Sequence, residues 1–298
     1  MKKFKKLVVL DETKMNAETL RKLQSYAEEV KEYKEVPKTE SEVIKRIGDA
    51  DAVLVSWRTE IGAKAIEKAS NLRYIGMACS LLDAEAANVD IKAAEKKNIK
   101  VSGIFDYGDP GVVEFVLSKS IDLLHGFGKE QLEEMPRELS GCKVGIIGLG
   151  TTGQLLAKAL LALNADVYYY SRTREEDWEE KGVDYLSLNK LLATCTIISL
   201  HLPKNTCLLD AEAFKNLGDN KILINTSLGL PYKQKALIDW LEATSSYTIV
   251  DGDAANGFTE KIKHKNLLIS KKSAGWSKKT QNRLSDKVVK NIAVFLNK

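Results

Sequence analysis

The feature that most restricts how this chain can fold is a six-residue turn. Gly148, Leu149, Gly150, Thr151, Thr152 and Gly153 sit between a strand-like run, Val144-Gly-Ile-Ile147, and an apolar helical stretch reaching about Leu163. The pattern GxGxxG is weak alone and gains meaning from a strand–turn–helix context. There the first glycine makes the tight turn, the second lets backbone approach a pyrophosphate, and the third lets the helix pack closely on its strand. Free N–H groups and the helix dipole then favour an anion at the helix start. The plain alternative is a turn that is merely glycine-rich. The context favours a dinucleotide-binding unit whose phosphates rest on residues 148–153.

The surrounding pattern extends that unit. Strand-like runs at 144–147, 166–170, 197–200, 221–225, 247–251 and 267–270 alternate with helical stretches. The runs are almost continuously apolar, as strands buried on both faces are. The earlier part also alternates: strands at 6–10, 51–56, 73–78 and 99–102, and helices at 16–28, 39–47, 62–69 and 90–97. Such a βα series implies a second, smaller parallel sheet. A long amphipathic helix is expected over 111–124, a polar arm over 127–139, and a final helix over 279–296 that returns to the first part. The expected fold is α/β: a Rossmann-type, doubly wound parallel cofactor domain over 104–275, and a smaller flavodoxin-like α/β substrate domain made of 1–103 and 276–298.

Composition excludes several function classes. The net charge of +4 is spread among mixed signs, with no basic stripe of the kind nucleic-acid binders carry. The apolar run after the basic N-terminus is only Leu7 to Leu10, too short for a signal-peptide core or a membrane span. Cys79, Cys142, Cys195 and Cys207 show no ligand spacing and read as free thiols in a reducing compartment. With three histidines and no Cys/His cluster, no metal site is expected. A cytoplasmic protein acting on a small molecule is the default.

The second strand of a dinucleotide domain decides which cofactor fits. NAD sites usually carry Asp or Glu there, for the ribose 2′-OH. Here the strand ends in Tyr170-Ser171-Arg172-Thr173-Arg174, with no carboxylate. Ser171, Arg172 and Thr173 form a hydroxyl–guanidinium–hydroxyl set suited to a 2′-phosphate. NADP(H) is therefore the expected cofactor, although Glu175 and Glu176 could fold back and leave NAD(H) open.

On these residues the chain resembles the D-isomer-specific 2-hydroxyacid dehydrogenase family, most of all its NADP-using glyoxylate/hydroxypyruvate reductase-like members. The resemblance covers nearly the whole chain. It rests on Leu139 to Gly150, on Tyr169 to Thr173, and on Leu200-His201-Leu202-Pro203 with Thr206. Asn225-Thr226-Ser227, Val250-Asp251 and Ser273-Ala-Gly275 complete it. It implies that His201, Leu202, Pro203, Thr206, Thr226, Ser227, Leu228, Asp251 and Gly275 line the cofactor, and that the helix over 111–124 forms a homodimer. The family's chemistry uses an Arg on the substrate carboxylate, a His as proton donor or acceptor, and a Glu paired with that His. At the matching positions stand Leu228, Lys272 and Ala254. The glycine-rich carboxylate loop reads Cys79, Ser80, Leu81, Leu82, with an insertion from Ala84 to Ala87.

A positioned acid–base group contributes roughly 10²–10⁴ in rate, so these changes bear on function. Lys272 is the candidate replacement, since a desolvated lysine can lose its proton near neutrality; the plain alternative is a solvated lysine beside Lys271. Arg58 follows a strand and could contact substrate, as could Tyr107. His201 is expected to be structural rather than catalytic, and Trp276 to pack in a core or interface. Two functions follow: an NADPH-dependent oxidoreductase reducing a small carbonyl or imine, or a catalytically inactive NADP(H)-binding sensor or scaffold.

Overall fold

The computed structural model of the chain describes residues 2–81, 84, 87–204, 206–260 and 262–297. The chain divides into two compact units: residues up to Tyr107 together with those from Ser277 onward, and Gly108–Trp276. These limits differ by a few residues from the expected 103/104 and 275/276. Ile104 is buried in a first-unit cluster, and Tyr107 packs against it.

In chain order the first unit contains β1 (Phe4–Val9), α1 (Ala17–Lys22), β2 (Ala27–Glu32), α2 (Glu40–Ile47) and β3 (Ala52–Val55). It continues with α3 (Ala63–Lys68), β4 (Tyr74–Met77), α4 (Ile91–Lys96) and β5 (Lys100–Ser102). The strands form one parallel sheet in the order β2-β1-β3-β4-β5, the flavodoxin-like order. Alternate residues of β1 face opposite layers, as strand geometry requires. Val8 packs with Val43, Ile47 and Ile66 of α2 and α3. Leu7 and Val9 pack on the other side, with Leu23 and the C-terminal helix residues Leu284, Val288 and Ile292.

The expected helix over 16–28 is corrected here. Asn16 caps α1 by accepting the Thr19 N–H at 2.8 Å. The helix ends at Lys22, a 3-10 turn spans Leu23–Ser25, and Ala27–Glu32 is an edge strand. The segment AEEVKE has no strand-like alternation. It becomes a strand by pairing with β1 (Phe4 opposite Ala27, Val9 opposite Glu32), so context overrides local preference.

The second unit contains α5 (Asp109–His125), β6 (Lys143–Ile147), α6 (Thr151–Ala162), β7 (Asp166–Tyr170), α7 (Glu176–Glu179), β8 (Val183–Tyr185) and α8 (Leu188–Thr194). It continues with β9 (Ile197–Leu200), α9 (Ala211–Leu217), β10 (Ile222–Asn225), α10 (Gln234–Ala243), β11 (Tyr247–Val250) and β12 (Leu267–Ile269). Then α11 (Lys278–Leu296) returns to the first unit. The seven strands are parallel, in the order β12-β11-β10-β9-β6-β7-β8. Helices cover both faces: α5 and α6 pack over Val144, Ile146 and Ile224, and α8, α9 and α10 over Ile147, Ile198 and Leu223. This is the doubly wound Rossmann arrangement. The short strand β8 and helix α7 were not expected from the sequence. From β6 the chain first builds outward through β7 and β8, then returns to add β9 on the other side. The order reverses between β6 and β9, where doubly wound sheets bind their ligands. No helix among the described residues is long and apolar enough to cross a membrane.

Candidate active site

The Gly148–Gly153 turn lies at the carboxyl end of β6, at this reversal point. Gly148 has φ +96°, and a Cβ there would lie 2.2 Å from the His201 carbonyl oxygen. Its N–H donates to the Tyr170 carbonyl at 2.8 Å. A Cβ on Gly153 would lie 2.3 Å from the Gly148 carbonyl oxygen, so these two glycines serve the protein's own packing. Gly150 differs: it caps α6 at φ −80°, and a Cβ there would meet nothing within 4 Å. Its Cα therefore faces open space directly before a helix N-terminus, whose first N–H groups have no partner one turn back. That geometry fits the pyrophosphate of a dinucleotide. Of the turn's side chains, Leu149 is buried and Thr151 is exposed. The Thr152 hydroxyl donates to Asp109 at the start of α5, so it is committed within the unit.

At the end of β7 the three residues of the expected hydroxyl–guanidinium–hydroxyl set differ in their surroundings. Ser171 turns its hydroxyl onto the Thr173 carbonyl. Arg174 is held by Glu179, Nε to Oε1 at 3.0 Å, with its guanidinium 5.0 Å from the Tyr185 ring centre. Tyr169 donates its hydroxyl to the same Glu179 oxygen at 2.8 Å and accepts the Glu175 N–H at 2.7 Å. These contacts tie the loop to α7. Arg172 and Thr173 are exposed, and Arg172 makes no ion pair with any described residue.

Across the reversal point, the neighbouring loops are tied to one another. The Ser227 hydroxyl accepts the Leu202 N–H at 3.0 Å and donates to the Leu200 carbonyl at 3.1 Å. Fully buried Asn225 accepts the Ser227 N–H at 2.9 Å. The Ser227 hydroxyl therefore stitches the β9 and β10 ends together. His201 donates its backbone N–H to Ile147 and places Nε2 2.9 Å from Ser199 Oγ. Burial lowers its pKa to about 4, so the ring is neutral near pH 7. Pro203 is exposed, and Thr206 and Thr226 are partly buried.

Asp251 is 2% exposed and accepts two backbone N–H groups, from Ala254 on Oδ1 and Ala274 on Oδ2, both at 2.8 Å. It joins the turn after β11 to the loop before Gly275. Burial raises its pKa, opposed by those two hydrogen bonds. Ala254 is fully buried and Leu228 is 56% exposed. Of the two readings of Lys272, candidate acid–base group or solvated lysine, its exposure in the second unit matches the solvated one. Its backbone is fixed, with the carbonyl accepting from Gly252 N at 3.0 Å and Ser270 Oγ at 3.1 Å, while its side chain reaches solvent. Trp276 is 38% exposed.

The expected substrate residues lie in the first unit. Arg58 donates to the Glu12 carboxylate at 3.2 Å and to the Glu12 carbonyl. Beneath it, fully buried Asp11 accepts the Ser56 N–H at 2.9 Å and the Ser56 and Thr59 hydroxyls at 2.6 Å. This anchor was not foreseen; its only sequence signal is an acid directly after a buried strand. Cys79 is buried, its thiol pushed up to about 12 by burial and by the nearby Asp11 charge, so it supplies no thiolate near neutrality. Ser80 is exposed and Leu81 partly buried. Leu82 of the same loop, and Asp83, Glu85 and Ala86 beside it, lie outside the described residues. Tyr107 is partly buried, and its carbonyl accepts the Arg283 Nε–H at 2.8 Å.

The family described as "D-isomer specific 2-hydroxyacid dehydrogenase, NAD binding domain" matches residues 120–267. The chain belongs to the D-isomer-specific 2-hydroxyacid dehydrogenase family. With the family come an oxidoreductase class and a nicotinamide cofactor. Among curated relatives, a hydroxypyruvate reductase of Blautia hydrogenotrophica is 28% identical over 86% of this chain and 85% of its own length. A glyoxylate reductase of Korarchaeum cryptofilum is 26% identical over 88% and 84%. Among solved structures, an acyclic imino acid reductase in complex with NADPH and D-Arg superposes with a TM-score of 0.79 at 23% identity, covering 98% of this chain and 97% of that one. A protein of Polaromonas sp. JS6 66, described as a D-isomer-specific 2-hydroxyacid dehydrogenase, gives 0.84 at 19% identity over 99% and 97%. These two likenesses show the shared fold.

Proposed function

We propose that this family member is an NADPH-dependent reductase of a small carbonyl or imine, with an altered catalytic set. The observation that carries the cofactor choice is Arg172. It is exposed at the end of a β7 that bears no carboxylate, while its neighbour Arg174 is locked onto Glu179. A free guanidinium there suits a 2′-phosphate, which it can engage with two parallel N–H donors. Gly148–Gly153 would take the pyrophosphate, with His201 to Leu202 and Thr226 to Leu228 at the neighbouring strand ends. The bound cofactor would supply the hydride. NADPH is the usual donor for reductions, and the relatives named for hydroxypyruvate, glyoxylate and imino acids agree with reduction.

The chain's own residues would act as follows. Asp251 holds the 252–255 turn and the 273–275 loop in register through its two N–H contacts. Leu228 presents an apolar surface where the family's arginine is expected, so carboxylate recognition would fall to Arg58 and the loop of Cys79, Ser80 and Leu81. Neutral His201 is bonded to Ser199 and is not a strong acid at pH 7. The proton would then come from Lys272 or from water. We also propose that the first unit is the substrate domain and that α5 forms a homodimer contact.

One observation favours the second reading, NADP(H) binding without turnover: at the positions matching the family's His and Glu, Lys272 is exposed and Ala254 is a buried alanine, so neither of these two residues is a desolvated proton donor. Turnover decides between the two. Protein, NADPH and a panel of 2-oxo acids, aldehydes and cyclic imines are mixed and absorbance at 340 nm is followed. Oxidation with any member, reduced at least tenfold in Lys272→Ala, supports a lysine-assisted reductase. Oxidation unaffected by that substitution assigns the proton to water. Tight NADPH binding with no oxidation across the panel overturns the reductase reading.

A further inference from the structure

We propose that the first unit carries a second ligand site, for a free small carboxylate with an apolar body, between the edge strand β5 and the last turns of α11. The cavity there has a volume of about 380 Å³. Its position follows from strand geometry. Lys100 and Ser102 are two apart on β5, so they share one face, while Val101 between them packs into the opposite layer. Lys100 and Ser102 line the cavity, and Val294, Phe295 and Leu296 of α11 form its apolar wall.

The wall is rigid. Phe295 stacks on Phe4 with ring centres 5.7 Å apart and packs against fully buried Tyr74 at 4.8 Å. Three cations, Lys2, Arg73 and Lys100, also line the cavity, and no acidic residue does so among the described residues. Arg73 is shared: its Nε donates to Asp51 at 3.0 Å, and its guanidinium lies over the Phe4 and Phe295 rings. Lys2 and Lys100 are exposed and make no ion pair with any described residue. Val294 is 51% exposed, an apolar group that a bound hydrocarbon would cover.

An apolar wall beside unpaired cations selects an amphipathic anion over a neutral hydrocarbon or a polyanion. Like charges that gain a counter-ion are relieved of mutual repulsion, and burying apolar surface is favourable at roughly 25 cal/mol per Å². The volume is at the small end of the roughly 300–1,000 Å³ typical of ligand pockets, which suits a chain of about eight carbons. Such a site would be independent of the cofactor site, since all of its lining residues belong to the first unit. It therefore stands whether or not the reductase reading does.

The probe is octanoate, titrated calorimetrically into the full chain without added cofactor, with octanamide and acetate as comparisons. Saturable one-to-one octanoate binding is expected, at least tenfold tighter than octanamide, with no detectable acetate binding. Lys100→Ala should weaken octanoate about fivefold. Val294→Trp, at an exposed helix position, should fill the cavity and abolish octanoate binding while leaving Tm and NADPH affinity unchanged. Octanamide binding as tightly as octanoate, or octanoate binding Val294→Trp as tightly as the parent, overturns the site. So does retention on phosphatidylglycerol vesicles without binding of free octanoate, which would assign the cavity to a lipid surface.

Discussion

Arg174 and Glu179 form an ion pair five residues apart, Nε to Oε1 at 3.0 Å, that engages one of the two arginines after β7 within the protein. Arg172 is left as the exposed guanidinium of that loop. The two should separate cleanly by mutation. Arg172→Ala should erase the preference for NADPH over NADH, a change of about tenfold or more if one charge-assisted contact of ~1.5–3 kcal/mol is lost. Arg174→Ala should leave the preference largely intact and alter stability by less than about 1 kcal/mol, because the pair is exposed. Calorimetric titration of both cofactors into the three proteins checks this. Equal affinities in the parent would overturn the NADPH assignment.

The glycines of the β6–α6 turn should behave differently from one another. Gly150→Ala adds a Cβ into open space, so Tm should hold within about 2 °C while cofactor affinity falls at least tenfold. Gly153→Ala places a Cβ 2.3 Å from the Gly148 carbonyl oxygen. Overpacking of that kind costs about 1–3 kcal/mol, read as a lower urea midpoint with or without cofactor. If Gly150→Ala binds cofactor normally, the open space in front of it is not the pyrophosphate seat.

Asp251 should be a stability residue as much as a site residue. Asp251→Ala leaves the Ala254 and Ala274 N–H groups without their acceptor, at a cost of about 2–4 kcal/mol for two buried unsatisfied donors. Asp251→Asn, which keeps one oxygen, should lose about half as much. Urea unfolding monitored by tryptophan fluorescence gives both numbers. A change below about 0.5 kcal/mol in the alanine variant would show that solvent satisfies those groups.

His201 should make the protein acid-sensitive. Its folded pKa is lowered by burial to about 4 from an ordinary 6.5. Between those values the unfolded chain binds the extra proton and the folded chain does not, so stability falls as pH drops from 6.5 towards 4. The shift corresponds to about 3 kcal/mol. Asp251 works in the opposite sense, because its raised pKa favours the folded state as acid is added. The difference between parent and His201→Gln therefore isolates the histidine. Tm measured at pH 7.0 and 4.5 should fall further in the parent than in the variant. Parallel losses would place the acid sensitivity elsewhere.

What could be read from the amino-acid order was whatever depends on near neighbours. The Gly148–Gly153 turn, the apolar strands on either side of it and the absence of a carboxylate after Tyr170 are local patterns. They sufficed for a doubly wound cofactor domain and for the family. Tertiary structure alone decided the rest, because it depends on partners far apart in the chain or on which side-chain atoms are already engaged. Ala27–Glu32 is a strand only because β1 offers it an edge. Ser171, Thr152 and Ser227 carry hydroxyls that composition presents as available, yet each is committed to another protein atom. Asp11 becomes an anchor through donors 45 to 48 residues away, and Lys272 is exposed in the folded unit. A motif can report what kinds of groups are present, but hydrogen bonding and burial, set by the whole packed chain, decide which of them are left to meet a ligand.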